Sequence, residues 1–380
     1  MNAALNSSSP WLAVESSAHA LFVNPDMEAV RINLAAVAAQ RMADLCPAWI
    51  LSIAPPGSGK TELDNAIDQF PGLVWSVDQI TPNTLLSGLM SQSKKRKPAS
   101  LLHRIGKFGI LIIKDLSTYL GNKQSLAVIM GQLRRVHDGA FRPEFGTQDN
   151  YEPWQGRITL LASITPEIDA YTGVLNKMGP RFVFVRWPRA GGVEVGRRAL
   201  ENRTESRSAF QAAVKNQIEF VNNLDVYPPK LTDEQAGMIA AGCELVAVSR
   251  GTVHRTSGTR EVDVEAVIES NTRLPEQITQ IARGSAILEG RSTVNDVDMR
   301  LALRAARDTI PQTRSRVLRS VGRGVSPYEK GMPRVLVHRT LEDLKMTGVL
   351  TGDEDADVEI APSILDLEQR SGIFQVAENQ

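Results

Sequence analysis

Short apolar runs separated by amphipathic stretches dominate the middle of this chain. The runs at Trp49–Ile53 (WILSI), Leu73–Val77 (LVWSV), Ile110–Ile113 (ILII), Ile158–Ala162 (ITLLA) and Phe182–Trp187 (FVFVRW) are nearly continuous and rich in β-branched residues. Such runs fit strands buried on both faces, and their alternation with helical segments predicts a parallel α/β sheet. Pro188 and Gly191-Gly192 close that block. Ahead of it, a Ser-rich start (Ser7 to Ser9) leads to a helical stretch from about Pro25 to Leu45, ended by Cys46-Pro47 because a residue before proline avoids the α region. These first 45 residues read as peripheral.

Beyond the strands the period becomes helical. Val193–Asn223 reads as one helix or two, and Leu231–Ser249 opens on a possible Thr232 cap. Leu274–Glu289 puts Leu274, Ile278, Ile281, Ser285 and Leu288 on one face, and a further helix runs through Ala306 with Asn295 or Asp296 as cap. The tail from Arg314 reads as a small unit of its own. It has an amphipathic helix (Val335–Thr347), a strand (Val349-Leu350), an acidic turn (Gly352–Ala356) and a second strand (Val358–Ala361), the outline of a winged helix. The predicted organisation is therefore an N-terminal helical segment (1–45), an α/β core (46–190), a helical region (191–310) and a winged-helix unit (311–380).

Composition narrows the class. In 380 residues, 42% apolar content allows a large core, and 43 basic against 43 acidic residues excludes a uniformly basic nucleic-acid coat. The two cysteines, Cys46 and Cys243, begin neither a disulfide framework nor a metal cluster. No run of about 18 apolar residues and no cationic leader is present, so a soluble cytoplasmic protein without membrane contact is expected.

The chemistry concentrates at Ala54-Pro55-Pro56-Gly57-Ser58-Gly59-Lys60-Thr61, between a predicted buried strand and a helical stretch, Glu62–Phe70. Gly57 and Gly59 let backbone N–H groups turn inward around an anion, and the helix N-terminus adds partial positive charge. Lys60 is placed for terminal phosphates and the Thr61 hydroxyl for Mg²⁺, with Pro56, Ser58 and Glu62 flanking. Ala54 stands where the usual phosphate-loop string has its first glycine. The run ending in Lys114-Asp115 delivers a metal-holding carboxylate to the C-terminal edge of the sheet, where ligands of open α/β folds bind. Leu116 follows, where a glutamate polarising water is usual. Asp78, on the strand expected beside that of Asp115, is then either the substitute base or a cap. The strand Ile158–Ala162 is expected between the loop's strand and that of Asp115. It would present Ser163 or Thr165 to the γ-phosphate or water, unless those hydroxyls satisfy their own turn.

Taken in order, GSGKT, the strand to Asp115, the strand to Ser163 and Met178-Gly179-Pro180-Arg181-Phe182 resemble the AAA+ ATPases. Asn271-Thr272-Arg273-Leu274-Pro275 and the helices after it look like the lids of the minichromosome-maintenance-like branch and its mobile-element relatives. The resemblance implies bound ATP with Mg²⁺ and a homo-oligomer, a hexamer-like ring or a filament. It implies further that Arg181 is an arginine finger reaching a neighbour's γ-phosphate and Arg273 a second-sensor arginine. Arg186 and Arg189 are further candidates, Arg134-Arg135 are candidates for the subunit interface, and a plain salt bridge is the alternative for each of these arginines.

Charge is uneven along the tail: residues 314–350 hold eight basic and three acidic residues, whereas 351–380 hold eight acidic residues and Arg370. A basic helical surface beside a hairpin suits DNA phosphates, although acids in the turn oppose them and such modules also bind proteins. The sequence therefore supports an ATPase acting on nucleic acid as helicase, loader or translocase. The alternatives are an ATP-gated scaffold controlling a partner enzyme, for example in anti-phage defence and with slow turnover, and a transcription regulator.

Overall fold

The structure, a computed structural model, describes residues 10–42, 46–81, 84–85, 100–142, 153–171, 181–201, 203–225, 227–256, 262, 264–328, 331–352, 355 and 357–375. Ser7 to Ser9, the basic run Lys94–Lys97, Met178-Gly179-Pro180 and three residues of the acidic turn lie outside the described residues.

Five strands form one all-parallel sheet in the order β2-β3-β6-β1-β7: β1 (Trp49–Ile53), β2 (Val74–Val77), β3 (Phe108–Ile113), β6 (Arg157–Ile164) and β7 (Val183–Arg186). As expected, β6 lies between β1 and β3, and β2 flanks β3. Two-residue β4 (Ala140–Phe141) and β5 (Trp154–Gln155) pair antiparallel beside it. The alternation of strand side chains divides the core in two. Ile50, Ile110, Ile112, Leu161, Val183 and Val185 enter one cluster, whereas Trp49, Leu51, Leu111, Ile113, Leu160 and Phe184 enter the other. The second face is covered by α4 (Leu101–Ile105) and the apolar stripe of α5 (Lys123–His137).

The first face is covered by α2 (Met27–Ala39), which corrects the reading of the N-terminal segment as peripheral. Every residue from Ala29 to Ala39 is buried. An Ala-rich helix buried all round carries a weak amphipathic signal because it has no solvent side. Arg31, buried on α2, donates from Nε to Ser285 Oγ at 2.9 Å, pairs with Glu289 at 2.8 Å and stacks over the Trp11 ring of α1 (Trp11–Leu21).

The segment Val193–Asn223 forms two helices, α6 (Val193–Leu200) and α7 (Thr204–Asn222). They are followed by α8 (Asp233–Ser249), α9 (Arg273–Leu288) and α10 (Asp296–Asp308). Thr232 and Asn295 cap α8 and α10 through reciprocal capping boxes. α7 packs on α1 and on α3 (Lys60–Ile67), while α9 packs on α2. The tail forms α11 (Gln312–Gly322), α12 (Arg334–Met346), an antiparallel pair β8 (Leu350–Thr351) and β9 (Glu359–Ile360), and α13 (Pro362–Ser371). α13, which the sequence reading did not anticipate, packs against α8. Arg314 donates to the Ser249 and Gly251 carbonyls and pairs with Asp343, so the tail is fastened to the helices before it.

Gly284 on α9 marks the tightest helix crossing: a Cβ there would stand 2.0 Å from the Ala35 carbonyl oxygen of α2. Gly284→Ala is expected to cost about 2–3 kcal/mol by forcing the helices apart. Gly237→Ala, with nothing near its Cβ on α8, should gain about 0.5–1 kcal/mol from helix propensity. Thermal denaturation of the two variants checks both signs.

Candidate functional site

The glycine loop leaves β1 at the C-terminal edge of the sheet. Ala54 N–H donates to Ile164 O at 3.0 Å, closing the strand end onto β6. Gly57 (φ 79°) and Gly59 (φ 95°) are left-handed, and Gly59 is the N-cap of α3. Glycine is required twice over at position 59, because a Cβ would also meet the Phe22 ring at 3.0 Å. Lys60 donates from Nζ to the carbonyls of Ala54 (3.0 Å) and Ile164 (3.3 Å), which holds the ammonium over the loop. Desolvation lowers its pKa, opposed by the charges of Asp115 and Asp64.

A cleft of about 720 Å³ opens on this loop, within the usual range for small-ligand sites. Its walls hold Pro56, Gly57, Ser58, Gly59, Lys60, Thr61, Glu62, Asp78, Asp115 and Thr165 together. Asp115 leaves β3 exposed, its Oδ1 accepting from Ser117 N at 2.7 Å. Asp78 leaves β2 with an 87% exposed side chain, 3.8 Å from Lys114 Nζ. Glu62 is held by Arg207 of α7 at 2.8–3.0 Å.

Ser163 and Thr165 separate. Strand β6 runs on through Ile164, so Ser163 is buried within it rather than in a turn, and its hydroxyl donates to Asp64 at 3.4 Å. Thr165 lines the cleft, and its Oγ1 is buried with no partner. Ser58 Oγ and Arg203 Nε on the same walls are likewise orphaned. Buried polar atoms without partners are rare, and these three, together with Trp187 Nε1, line one cleft, which fits a polar, multi-oxygen ligand. Among the described residues no group of three His, Cys, Asp or Glu side chains could hold a metal. Mg²⁺ needs no such cage, since one or two protein oxygens with water and phosphates suffice, and Thr61 and Asp115 place two oxygen-bearing side chains on the cleft wall.

Several wall residues escaped the sequence reading. Phe22 and Phe210 meet edge to face (5.8 Å between centroids) and, with Trp187, make an apolar side to the cleft. Asp26 caps α2 and binds Arg304 at 2.6 Å, which fixes the α1–α2 connection over the opening. No local motif announces them, because Phe22 and Asp26 come from one end of the chain and Trp187 and Phe210 from beyond the last strand of the parallel sheet. Asp64 had a faint signal, a carboxylate among the buried positions Leu63, Ala66 and Ile67 of α3.

Arg181 and Arg273 lie elsewhere. The register Ile50↔Val183 sets Arg181 level with Ala48, at the N-terminal edge of the sheet. Six residues of strand, about 20 Å, separate that level from Ala54. Arg181 is 5% exposed and grips Asp138 through Nη2 (2.9 and 3.1 Å) and Nε (3.3 Å). Arg273 opens α9 and reaches the same carboxylate at 3.4 Å. Burial, and then the charge of Arg181, lower the neighbouring His137 to about 4, so its ring is neutral near pH 7. Arg186 is locked to Asp169 at 2.7 Å, whereas Arg189 lines the cleft.

No family model matches the chain, and no curated protein matches it.

Asp64 yields a pH test. Burial pushes its carboxyl up to about 7, against the opposing Ser163 hydrogen bond and the charges of Lys60 and Lys114. The folded state therefore holds this proton more tightly than the unfolded chain. The resulting stability is complete below the ordinary 3.8 and is lost as pH rises to about 7. Asp64→Asn should remove that loss, on the order of 2–4 kcal/mol, and flatten the stability profile between pH 4 and 7. Urea denaturation across that range measures it.

Proposed function

We propose that this chain is an oligomeric ATPase of the AAA+ type that couples ATP binding and hydrolysis to action on nucleic acid. The observation that carries the reading is the convergence of the glycine loop, Lys60, Thr61 and Asp115 on one cleft at the C-terminal sheet edge. The strand order supports it, because β6 brings Thr165 between the loop and Asp115. The orphaned Ser58, Thr165 and Arg203 atoms are the partners a triphosphate requires.

In this reading the inward N–H groups of Gly57–Thr61 and the α3 N-terminus bind the phosphates, and Lys60 exchanges its two carbonyl partners for them. Thr61 and Asp115 hold Mg²⁺, which neutralises phosphate charge when bound. Phe22, Phe210 and Trp187 receive the base. Thr165 and Asp78 are the polar groups placed near the terminal phosphate to orient water. Arg181, a sheet's length from its own loop, serves the nucleotide of an adjacent copy, with Arg273 beside it. The helix–helix–hairpin tail is read as a winged helix. Arg314 and Lys345 are engaged internally, whereas Arg319, Arg323 and Arg334 are among the exposed cations for nucleic acid.

A specific observation favours the second reading, an ATP-gated scaffold for a partner enzyme. Leu116 replaces the usual glutamate and is fully buried, its N–H bound to Ser163 O at 2.8 Å, so no carboxylate can enter there. Slow turnover indifferent to DNA would select the scaffold, and turnover stimulated by DNA the helicase, loader or translocase.

Lys60→Ala should weaken ATP binding by about 10–100-fold through loss of a charge-assisted contact. Arg181→Ala should leave binding near wild type while reducing turnover by about 10³ or more. Mixing the two variants tests the assignment between copies. Activity above the sum of the separate variants is expected, and strict additivity would refute it.

A further inference from the structure

The two arginines assigned to a neighbour's nucleotide are already holding an anion of their own chain. Asp138 follows α5 directly and sits between them, accepting from Arg181 at 2.9–3.3 Å and pairing with Arg273 at 3.4 Å. Its carboxylate remains 43% exposed, whereas the Arg181 side chain is 6% exposed. The buried cation is thus reached from outside across the carboxylate that covers it. Arg157, Arg273 and Arg283 line the adjoining hollow of about 710 Å³, where Gln280, itself 3% exposed, leaves Oε1 without a partner. Glu276 is the other acid on that wall, and Glu269 also feels the charge of Arg181.

We propose that Asp138 is an internal stand-in for the phosphate of an adjacent copy: it occupies Arg181 and Arg273 in the free chain and is displaced when the copies assemble on nucleotide. This deepens the proposed function, resting on the reading of Arg181 as a residue that acts between copies. Two anions compete for one pair of guanidinium groups, so the intramolecular ion pair sets the threshold for assembly. Desolvation works to raise the Asp138 pKa, but the hydrogen bonds and charge of Arg181, with the charge of Arg273, hold it below the ordinary range. The carboxylate is therefore charged throughout the physiological pH range and opposes assembly there.

The test is sedimentation velocity on the full chain with Mg²⁺ and a nonhydrolysable ATP analogue, across a protein dilution series. Asp138→Asn should lower the protein concentration for half-assembly by about three- to tenfold relative to wild type, the size expected from releasing a partly exposed ion pair. Asp138→Glu, which keeps the charge, should stay near wild type. An unchanged or higher threshold for Asp138→Asn, with wild type assembling normally, would overturn the proposal and leave the ATPase reading standing. If wild type neither binds the analogue nor assembles with it, the ATPase reading itself fails. Asp138→Ser is the second variant should Asp138→Asn not fold. A folded serine variant must show the lowered threshold, and collapse of both variants means the carboxylate is a structural brace, which also overturns the proposal.

Discussion

Everything in this molecule depends on covering both faces of a five-stranded parallel sheet. Strands apolar on both faces have no solvent side, so each face must be sealed before the loops at either edge can be held in place. On one side α4 and α5 do this from within the core segment. On the other the seal is α2, drawn from the N-terminus and pressed so closely against α9 that Gly284 admits no side chain. Because Asp26 caps α2 and binds Arg304, the same packing fixes the α1–α2 connection over the glycine loop. The cleft is thus a consequence of how the sheet is buried.

The sheet also separates the chemistry. Its C-terminal edge gathers the glycine loop, Asp115, Asp78 and Thr165, and its N-terminal edge gathers Arg157, Arg181 and Arg273 around Asp138. A rigid parallel strand cannot bring these edges together within one chain. If the arginines act on the ligand of the cleft, they do so between copies, and symmetric repetition of one interface would then join every cleft to an arginine edge. The proposed division of labour follows from strand direction and length rather than from any mobile element.

Much of this was legible in the residues. The five apolar runs became the five strands, and the places of β6 and β2 beside β3 were anticipated from the chemistry required at the edge. Strand boundaries moved by at most two residues; the shift that mattered was β6 continuing to Ile164, which turned Ser163 from the cleft toward Asp64. The failures share one physical cause. Helix α2 was legible as a helix but was placed at the periphery, because complete burial erases the amphipathic contrast that would show its core-facing side, and the aromatic wall of Phe22, Phe210 and Trp187 is built from distant segments. Likewise Asp138 has no motif; only the fold sets it between Arg181 and Arg273. Long-range juxtaposition is written in packing, which local patterns do not record.

The most direct measurement is a cryo-electron microscopy map of the full chain with Mg²⁺ and a nonhydrolysable ATP analogue. The account predicts triphosphate density cradled by Gly57–Thr61 in every copy, with the guanidinium of Arg181 from an adjacent copy against the terminal phosphate. Monomers at saturating analogue, or a map in which Arg181 faces no nucleotide of any copy, would contradict it.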